Sequence, residues 1–297
     1  MGRVVVVGSL NVDRPWRVGR HPAVGETVTG SMLAPVPGGK GLNESVAAAR
    51  SGTSVALVGC VGTDADGTWL RGVAAGEGID LAHLATHPDL PTGSALIVVD
   101  DAGDNTVTVS AGANGAAAFP EDLALAADDV VCAPLEVPVE AVAAVLLAAH
   151  EAGARSVLNP SPIGLGVALV PSADVVVVNQ HEAAYLAGDG EEVAVDAAGA
   201  LAHAGAIRTE QQTVVVTLGG IGLVSSGPSG DHVVPGLPVH AVDTTGAGDC
   251  FLGVLAASLA DGLDLLPALE RANRAASIAV TRPGAVDAMP HAAELLD

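Results

Sequence analysis

Aromatic side chains are almost missing from this chain: its 297 residues include two Phe, two Trp and one Tyr. Base-stacking platforms for single-stranded nucleic acid are therefore scarce, and any core has to be built from Ala, Val and Leu. Cations are scarce as well. Twelve Lys and Arg face 34 Asp and Glu, a formal net charge of −22 at pH 7. That balance leaves no Lys/Arg patch for nucleic acid or for an anionic membrane. It also repels anionic ligands unless a local device overrides the global field. The three cysteines, Cys60, Cys132 and Cys250, are widely spaced, form no CxxC and lie in apolar contexts. They read as buried thiols of a reducing compartment, not as a disulfide or metal set. No stretch spans a membrane once Gly, Asp and Pro interruptions are counted, and "MGRVVVVGSLNVD" has too short an apolar run for a signal peptide. The expectation is a cytosolic protein.

What the chain does contain is aliphatic surface. An apolar fraction of 49% suffices for a sizeable core without a disulfide staple, and the length fits one large α/β unit. "VVVVGS" (4–9) reads as a buried parallel strand, "LNESVAAARSG" (42–52) as an Ala-rich helix stopped by Gly, and "SVALVGCVG" (54–62) as another buried strand. The alternation recurs through "AVAAVLLAAHEAG", "SVLNP", "DVVVVNQ", "AGALAHAGA" and "TVVVTLGG". Helical segments between short Val-rich strands predict βαβ units around a mostly parallel sheet, in a Rossmann-like three-layer α/β sandwich. Residues 14–36 and 92–111 break the rhythm with polar–apolar alternation around turn signals. They predict antiparallel hairpin material, a small β-sheet lid inserted twice into a single domain spanning 1–297.

Two glycine-rich strings carry the chemistry. In "HAVDTTGAGDCF" (240–251), Gly246, Ala247 and Gly248 strip side chains from a turn at the start of a helix, where free amides and the helix dipole favour an anion. Asp249 follows at once. A carboxylate beside an anion site is repelled unless it has work to do; if the anion is a phosphoryl group in transfer, Asp249 can take the proton from the attacking hydroxyl. An ordinary Asp near a helix cap is the plain alternative to a lone G-A-G-D, and the longer D-T-T-G-A-G-D argues against it. In "PGGKGLNESVAAARSG" (37–52), glycines surround Lys40, the only lysine among twelve basic residues, and Asn43 follows at a helix start. A compact ammonium in a chain that otherwise uses Arg points to ligand binding, against a Gly-rich turn with an incidental Lys. The G-x-x-x-x-G-K-[ST] spacing of a phosphate-binding P-loop is absent, as is the G-x-G-x-x-G of a dinucleotide fold after the first strand.

Taken together, "GSLNVD", "GETVTG", "GGKGLNESVAAARSG", "SAGAN", "LNPSP", "NQHE", "VTLGGIG", "DTTGAGDCF" and "ANRAASIAVTRPGA" resemble, in order and spacing, the ribokinase-like (PfkB-type) carbohydrate kinase family. The resemblance covers nearly the whole chain. It implies transfer of the ATP γ-phosphate to a sugar hydroxymethyl, D-ribose at its 5-hydroxyl foremost. Asp249 would be the base, and the Gly246, Ala247 and Gly248 amides the anion hole. Asp13, Gly39, Lys40, Asn43 and Glu136 would hold the sugar. Asn179, Thr217, Gly219, Gly248 and Asn273 would hold the nucleotide, in a slot of small and aliphatic residues. Asn179 and Glu182 of the N-x-x-E motif would organise Mg²⁺ and its waters, with His181 a surface bystander. A K⁺ site beside the anion hole would use Asp243, Thr245, Ala279 and Gly284, although Ala288 stands where these enzymes commonly carry a hydroxyl. The lid would also pair two copies into a homodimer. Competing readings are a nucleoside kinase or another sugar kinase of the family, with Trp16 stacking on a base or capping a sugar, and a catalytically silent sugar or nucleotide sensor. The intact Asp249 and N-x-x-E speak against the sensor.

Overall fold

The computed structural model describes residues 2–190 and 193–296; the two ends of the predicted 1–297 unit, Met1 and Asp297, lie outside the described residues. The first half of the chain forms β1 (Val4–Val7), β2 (Asn11–Val18), β3 (Gly30–Met32), β4 (Val36–Gly38), α1 (Lys40–Arg50), β5 (Val55–Gly62), α2 (Ala65–Gly76) and β6 (Leu84–His87). There follow β7 (Gly93–Val99), β8 (Asn105–Ser110), β9 (Val130–Pro134), α3 (Val139–Ala152), β10 (Arg155–Asn159), β11 (Val175–Asn179) and α4 (Gln180–Ala187). The last third adds α5 (Ala197–Ile207), β12 (Thr213–Thr217), β13 (Gly222–Gly227), β14 (Gly230–Pro235), α6 (Ala247–Ala260) and α7 (Leu265–Ala279).

Nine strands make one sheet in the order β14-β13-β12-β11-β10-β9-β1-β5-β6. Seven of them run parallel from β12 to β6, and β13 and β14 close one edge as an antiparallel ribbon. The four consecutive valines of β1 show why such a run needs no polar alternation. Val4 and Val6 enter the core beneath α1, α2, α6 and α7, whereas Val5 and Val7 enter the core beneath α3, α4 and α5. Side chains alternate across a strand, so a strand covered on both faces is apolar at every position. All four are fully buried, each contributing about 1.5–3 kcal/mol of hydrophobic transfer free energy. The three-layer sandwich expected from the sequence is the observed one.

The second sheet has the order β3-β2-β7-β8, with β4 also on β2. Its β7–β8 and β2–β3 pairings are antiparallel hairpins, as the turn signals predict. The strand that joins the two inserted segments departs from the all-antiparallel expectation: β2 and β7 run parallel, Asn11 opposite Gly93 through Arg17 opposite Val99. β2 follows β1 and β7 follows β6, two strands that run the same way in the main sheet, so their parallel pairing follows from the body beneath them and not from a local turn. Strands β2 and β4 also begin and end inside the flanking motifs, at Asn11 and Gly38. The small sheet thereby shares residues with the site it covers.

Candidate active site

Every candidate residue sits at or beyond the carboxyl ends of the parallel strands, where open α/β sheets place their ligands. The segment after β1 gives Asp13 and the loop after β9 gives Glu136, while β11 ends on Asn179 and β12 on Thr217. The register of β11 and β12 sets Asn179 directly opposite Thr217. A larger groove of about 690 Å³ lies at the other end of the sheet and includes none of the candidate residues.

Helix α6 begins at Ala247 with Gly246 as its cap, at φ 71°. Only glycine adopts that conformation without strain, and a Cβ there would stand 2.7 Å from the Ala285 Cβ. Asp249 falls in the first turn and is 8% exposed. Its Oδ2 accepts a hydrogen bond from Asn43 Nδ2 at 2.8 Å, and its Oδ1 lies 3.5 Å from Lys40 Nζ. The two glycine-rich strings thus meet at one carboxylate. The anion hole is narrower than predicted, because the Ala247 amide donates to the Thr244 carbonyl at 3.3 Å. The amides of Gly248 and Asp249 stand in the first turn, ahead of any i−4 acceptor within the helix. Gly248 differs from Gly246 in kind: a Cβ at 248 would meet open space.

The loop before α1 is pressed against the end of β1. Gly39 caps α1 at φ 90°, and a Cβ there would lie 2.7 Å from the Asn11 amide nitrogen. Glu136 Oε2 accepts from the Lys40 amide at 3.1 Å and from Ser9 Oγ at 2.5 Å. Burial acts to lower the Lys40 pKa, but the charges of Asp249 first, then Glu136, outweigh it and hold the ammonium above its ordinary value. Asp13 is displaced the other way. Burial first, then the charges of Glu136 and Asp249, raise its carboxyl from 3.8 to about 7. Asp13, Gly39, Lys40, Asn43, Glu136 and Asp249 therefore form one polar cluster.

The raised Asp13 gives a pH dependence with two signs. As the carboxylate it is the stronger acceptor for sugar hydroxyls, so kcat/KM for the sugar is expected to fall about tenfold per pH unit below pH 7. Asp13→Asn should flatten that acidic limb at a low level; an unchanged limb in the variant would assign it elsewhere. For stability, the native group binds its proton more tightly than the unfolded chain does. Its contribution is thus complete below about pH 4 and is lost as pH rises through about 7.

A second cleft, about 360 Å³, opens on the far side of the α6 N-terminus. Thr217, Gly219, Gly248 and Asn273 line it together with Leu223, Val239 and Phe251. Its walls are chiefly aliphatic, as the scarcity of aromatics requires. Asn273 Nδ2 already donates to the Pro235 carbonyl at 3.0 Å, and Thr217 Oγ1 to the Val178 carbonyl at 3.3 Å. Asn179 and Glu182 are joined by a reciprocal capping box at the start of α4: Glu182 N donates to Asn179 Oδ1, and Asn179 N to Glu182 Oε2. The N-x-x-E spacing is also a helix-start signal, and that role is the one the pair fills here, with Glu182 keeping a second carboxylate oxygen. His181 is exposed.

Asp243 ties the turn before α6 to the loop after α7. Its Oδ1 accepts from Thr245 N and Oγ1 at 2.9 and 2.6 Å, and its Oδ2 from Gly284 N at 2.8 Å. Burial works to raise its pKa, and these bonds outweigh it and lower the value. Ala279 closes α7 with its carbonyl accepting from Arg282 N, and Ala288 is buried nearby without a hydroxyl.

Residues that the site uses but that motif reading passed over are Ser9, Asn11 and Asn114. Asn114 accepts from Leu10 N and donates to Leu10 O and Asn11 Oδ1, pinning the strand that carries Asp13. The strings "GSLNVD" and "SAGAN" contained these residues without saying that they touch.

Comparison with known proteins finds relatives along the whole chain. The pfkB family carbohydrate kinase model matches residues 1–292. The ribokinase of Bacillus subtilis strain 168 is 36% identical over 295 residues, covering 98% of this chain and 97% of that protein. The ribokinase of Haemophilus influenzae is 33% identical over 302 residues, with 99% and 97% covered. The structure of Arabidopsis thaliana ribokinase complexed with ribose and ATP superposes with a TM-score of 0.88 at 28% identity, covering 100% of this chain and 98% of that one. A whole-chain family match, full-length relatives and a carboxylate gripped between two glycine-rich loops lead to one assignment: the chain belongs to the pfkB family of carbohydrate kinases, phosphotransferases with an alcohol group as acceptor.

Proposed function

We propose that this chain is an ATP-dependent ribokinase that phosphorylates D-ribose to D-ribose 5-phosphate. The observation that carries the reading is Asp249, buried in the first turn of α6 between Asn43 and Lys40, with the Asp13–Glu136 cluster on one side and the 360 Å³ cleft on the other. Sugar hydroxyls would bond to Asp13, Asn43 and Glu136, with the reacting hydroxymethyl at Asp249 and the Gly39 and Lys40 backbone alongside. Asp249 takes the hydroxyl proton as the new O–P bond forms and the bond from the γ-phosphorus to its bridging oxygen breaks, with ADP as the leaving group. The α6 amides and the Lys40 ammonium then hold the charge that develops on the transferring group. The nucleotide would lie against Thr217, Gly219, Gly248 and Asn273. Asn179 and Glu182 offer hard oxygen donors suited to Mg²⁺ held through water, which would screen the phosphate charges. A K⁺ ion would be held by Asp243, Thr245 and the Ala279 and Gly284 carbonyls, without a hydroxyl at Ala288. A cytosolic setting is supported by three buried, unpaired thiols; no helix among the described residues is long and apolar enough to cross a membrane. ADP release across a panel of sugars and nucleosides, with NMR of the product, tests the assignment. Phosphate anywhere but the ribose 5-position, or no turnover of ribose, would overturn it.

The glycines of the anion turn separate stability from turnover. Gly246→Ala is expected to lower stability by about 1–2 kcal/mol through its positive φ, with more from the Ala285 contact, seen as a lower Tm. Gly248→Ala should keep the wild-type Tm and lose turnover, because its methyl group enters space reserved for the phosphate. Equal Tm losses in both would remove that distinction.

The homodimer reading has its own support. Val107 and Val109 of β8 are 54% and 56% exposed, and the register sets them in line with Ile97, Ala95 and Asp13 on one face of the small sheet. Burying that face against a second copy would cover an exposed apolar patch beside the sugar and exclude water from it. Sedimentation at micromolar concentration is expected to give a dimer, and Val107→Asp with Val109→Asp a monomer of reduced activity. A fully active wild-type monomer refutes it.

A further inference from the structure

Glu44 is the one fully buried carboxyl group in this neighbourhood that the mechanism above leaves unused. It follows Asn43 in α1, has no exposed surface, and lies where α1 packs tightly on α6: a Cβ on Gly253 would stand 2.3 Å from the Glu44 carbonyl oxygen. Its side chain has a single partner, the Cys132 thiol of β9, with Sγ 3.4 Å from Oε2. Oε1 has none. A thiol is a weak donor, and an ionised carboxylate sealed in an apolar helix–sheet junction with one such bond is too costly to persist. The groups facing it are Asp249 from α6, Lys40 from its own helix, Cys132 from β9 and Glu136 from the loop beyond. Asp249 and Glu136 oppose its ionisation and Lys40 favours it. Burial is the largest effect and raises the group well above the usual carboxylate range.

We propose that Glu44 is a positioning residue held as a neutral carboxylic acid behind the base. Its uncharged state adds no third carboxylate to Asp249 and Glu136 around Lys40, and its ionisation at alkaline pH shuts turnover down. The neutral acid fills the junction between α1, β9 and α6 and adds no charge to it. The anion would compete with Asp249 for the field of Lys40 and push α1, with Asn43 on it, away from α6. This inference rests on the reading of Asp249 as the base, and its test separates the two.

Glu44→Gln keeps shape and polarity and cannot ionise. Infrared spectra at about pH 9, above the Asp13 titration and near the ordinary range of amines and thiols, should show in the wild type a protonated-carboxyl stretch that Glu44→Gln lacks. Neutral-pH kcat and both KM values should stay within about twofold. The wild-type kcat should then fall at higher pH while that of Glu44→Gln holds. Glu44→Met, of similar volume, serves in place of Gln if that variant fails to fold. Identical infrared spectra, identical alkaline profiles, or loss of turnover at every pH in both variants would overturn the proposal. Failure of Asp249 as base would instead appear as turnover in Asp249→Asn, with the Glu44 band unaffected.

Discussion

Asp249→Asn is expected to retain sugar and ATP binding within a few-fold and to lose turnover by roughly 10² to 10⁴, the range of a general-base contribution. The amide keeps the shape of the carboxylate, so the close packing around the first turn of α6 survives. It cannot take a proton from the attacking hydroxyl, and it leaves Lys40 without its nearest counter-ion. A second readout distinguishes loss of the base from general damage. The charge of Asp249 helps hold Asp13 at about 7, so its removal should move the acidic limb of sugar binding to lower pH. Calorimetric titration of sugar against pH, beside steady-state kcat, measures both. Turnover near wild type would remove Asp249 from the mechanism. Lost turnover with an unmoved limb would separate Asp13 from Asp249 electrostatically.

Much of this site was legible because its parts are local. "GGKG" and "TTGAGD" announce turns in which backbone must approach backbone or ligand, and both specify their geometry within a few residues. The β1 valines likewise state that both faces of their strand are covered. What the sequence does not carry is long-range. Glu44 follows Asn43 in a string of ordinary helix formers, and nothing local reveals that α6 passes over it at Gly253. The parallel union of β2 with β7 depends on the common direction of β1 and β6 in the sheet beneath. The Ala247 amide looked free until the turn placed the Thr244 carbonyl within its reach. Asn179 and Glu182 show the reverse case, a spacing with two physical meanings, a helix start and a pair of metal-side residues, of which the fold shows the first as a capping box.

Ribose is expected to be favoured over adenosine by a kcat/KM ratio on the order of 10⁴, the discrimination reached by sites built to bond hydroxyls. The polar cluster of Asp13, Asn43, Glu136 and Asp249 offers acceptors and an amide to a small polyol. A nucleoside would add a flat base that needs an apolar or aromatic slot. Trp16 was the one aromatic in the lid segments able to provide it. The structure places it elsewhere: β2 is regular from Asn11 to Arg17 against β7, so Trp16, three residues beyond Asp13, projects from the opposite face. There it pairs with Met32 and Val98 and is 37% exposed. Phe251 is committed to the cleft behind the α6 N-terminus. The sugar side is thereby left without a stacking face from either residue. Trp16→Ala should change ribose kcat/KM by no more than about threefold, since it removes contacts from the far face of the small sheet. Measured side by side, ribose and adenosine turnover in wild type and Trp16→Ala decide the matter. Adenosine as the better substrate, with its use abolished in Trp16→Ala, would replace the ribokinase reading with a nucleoside kinase in which the lid rotates Trp16 onto the base.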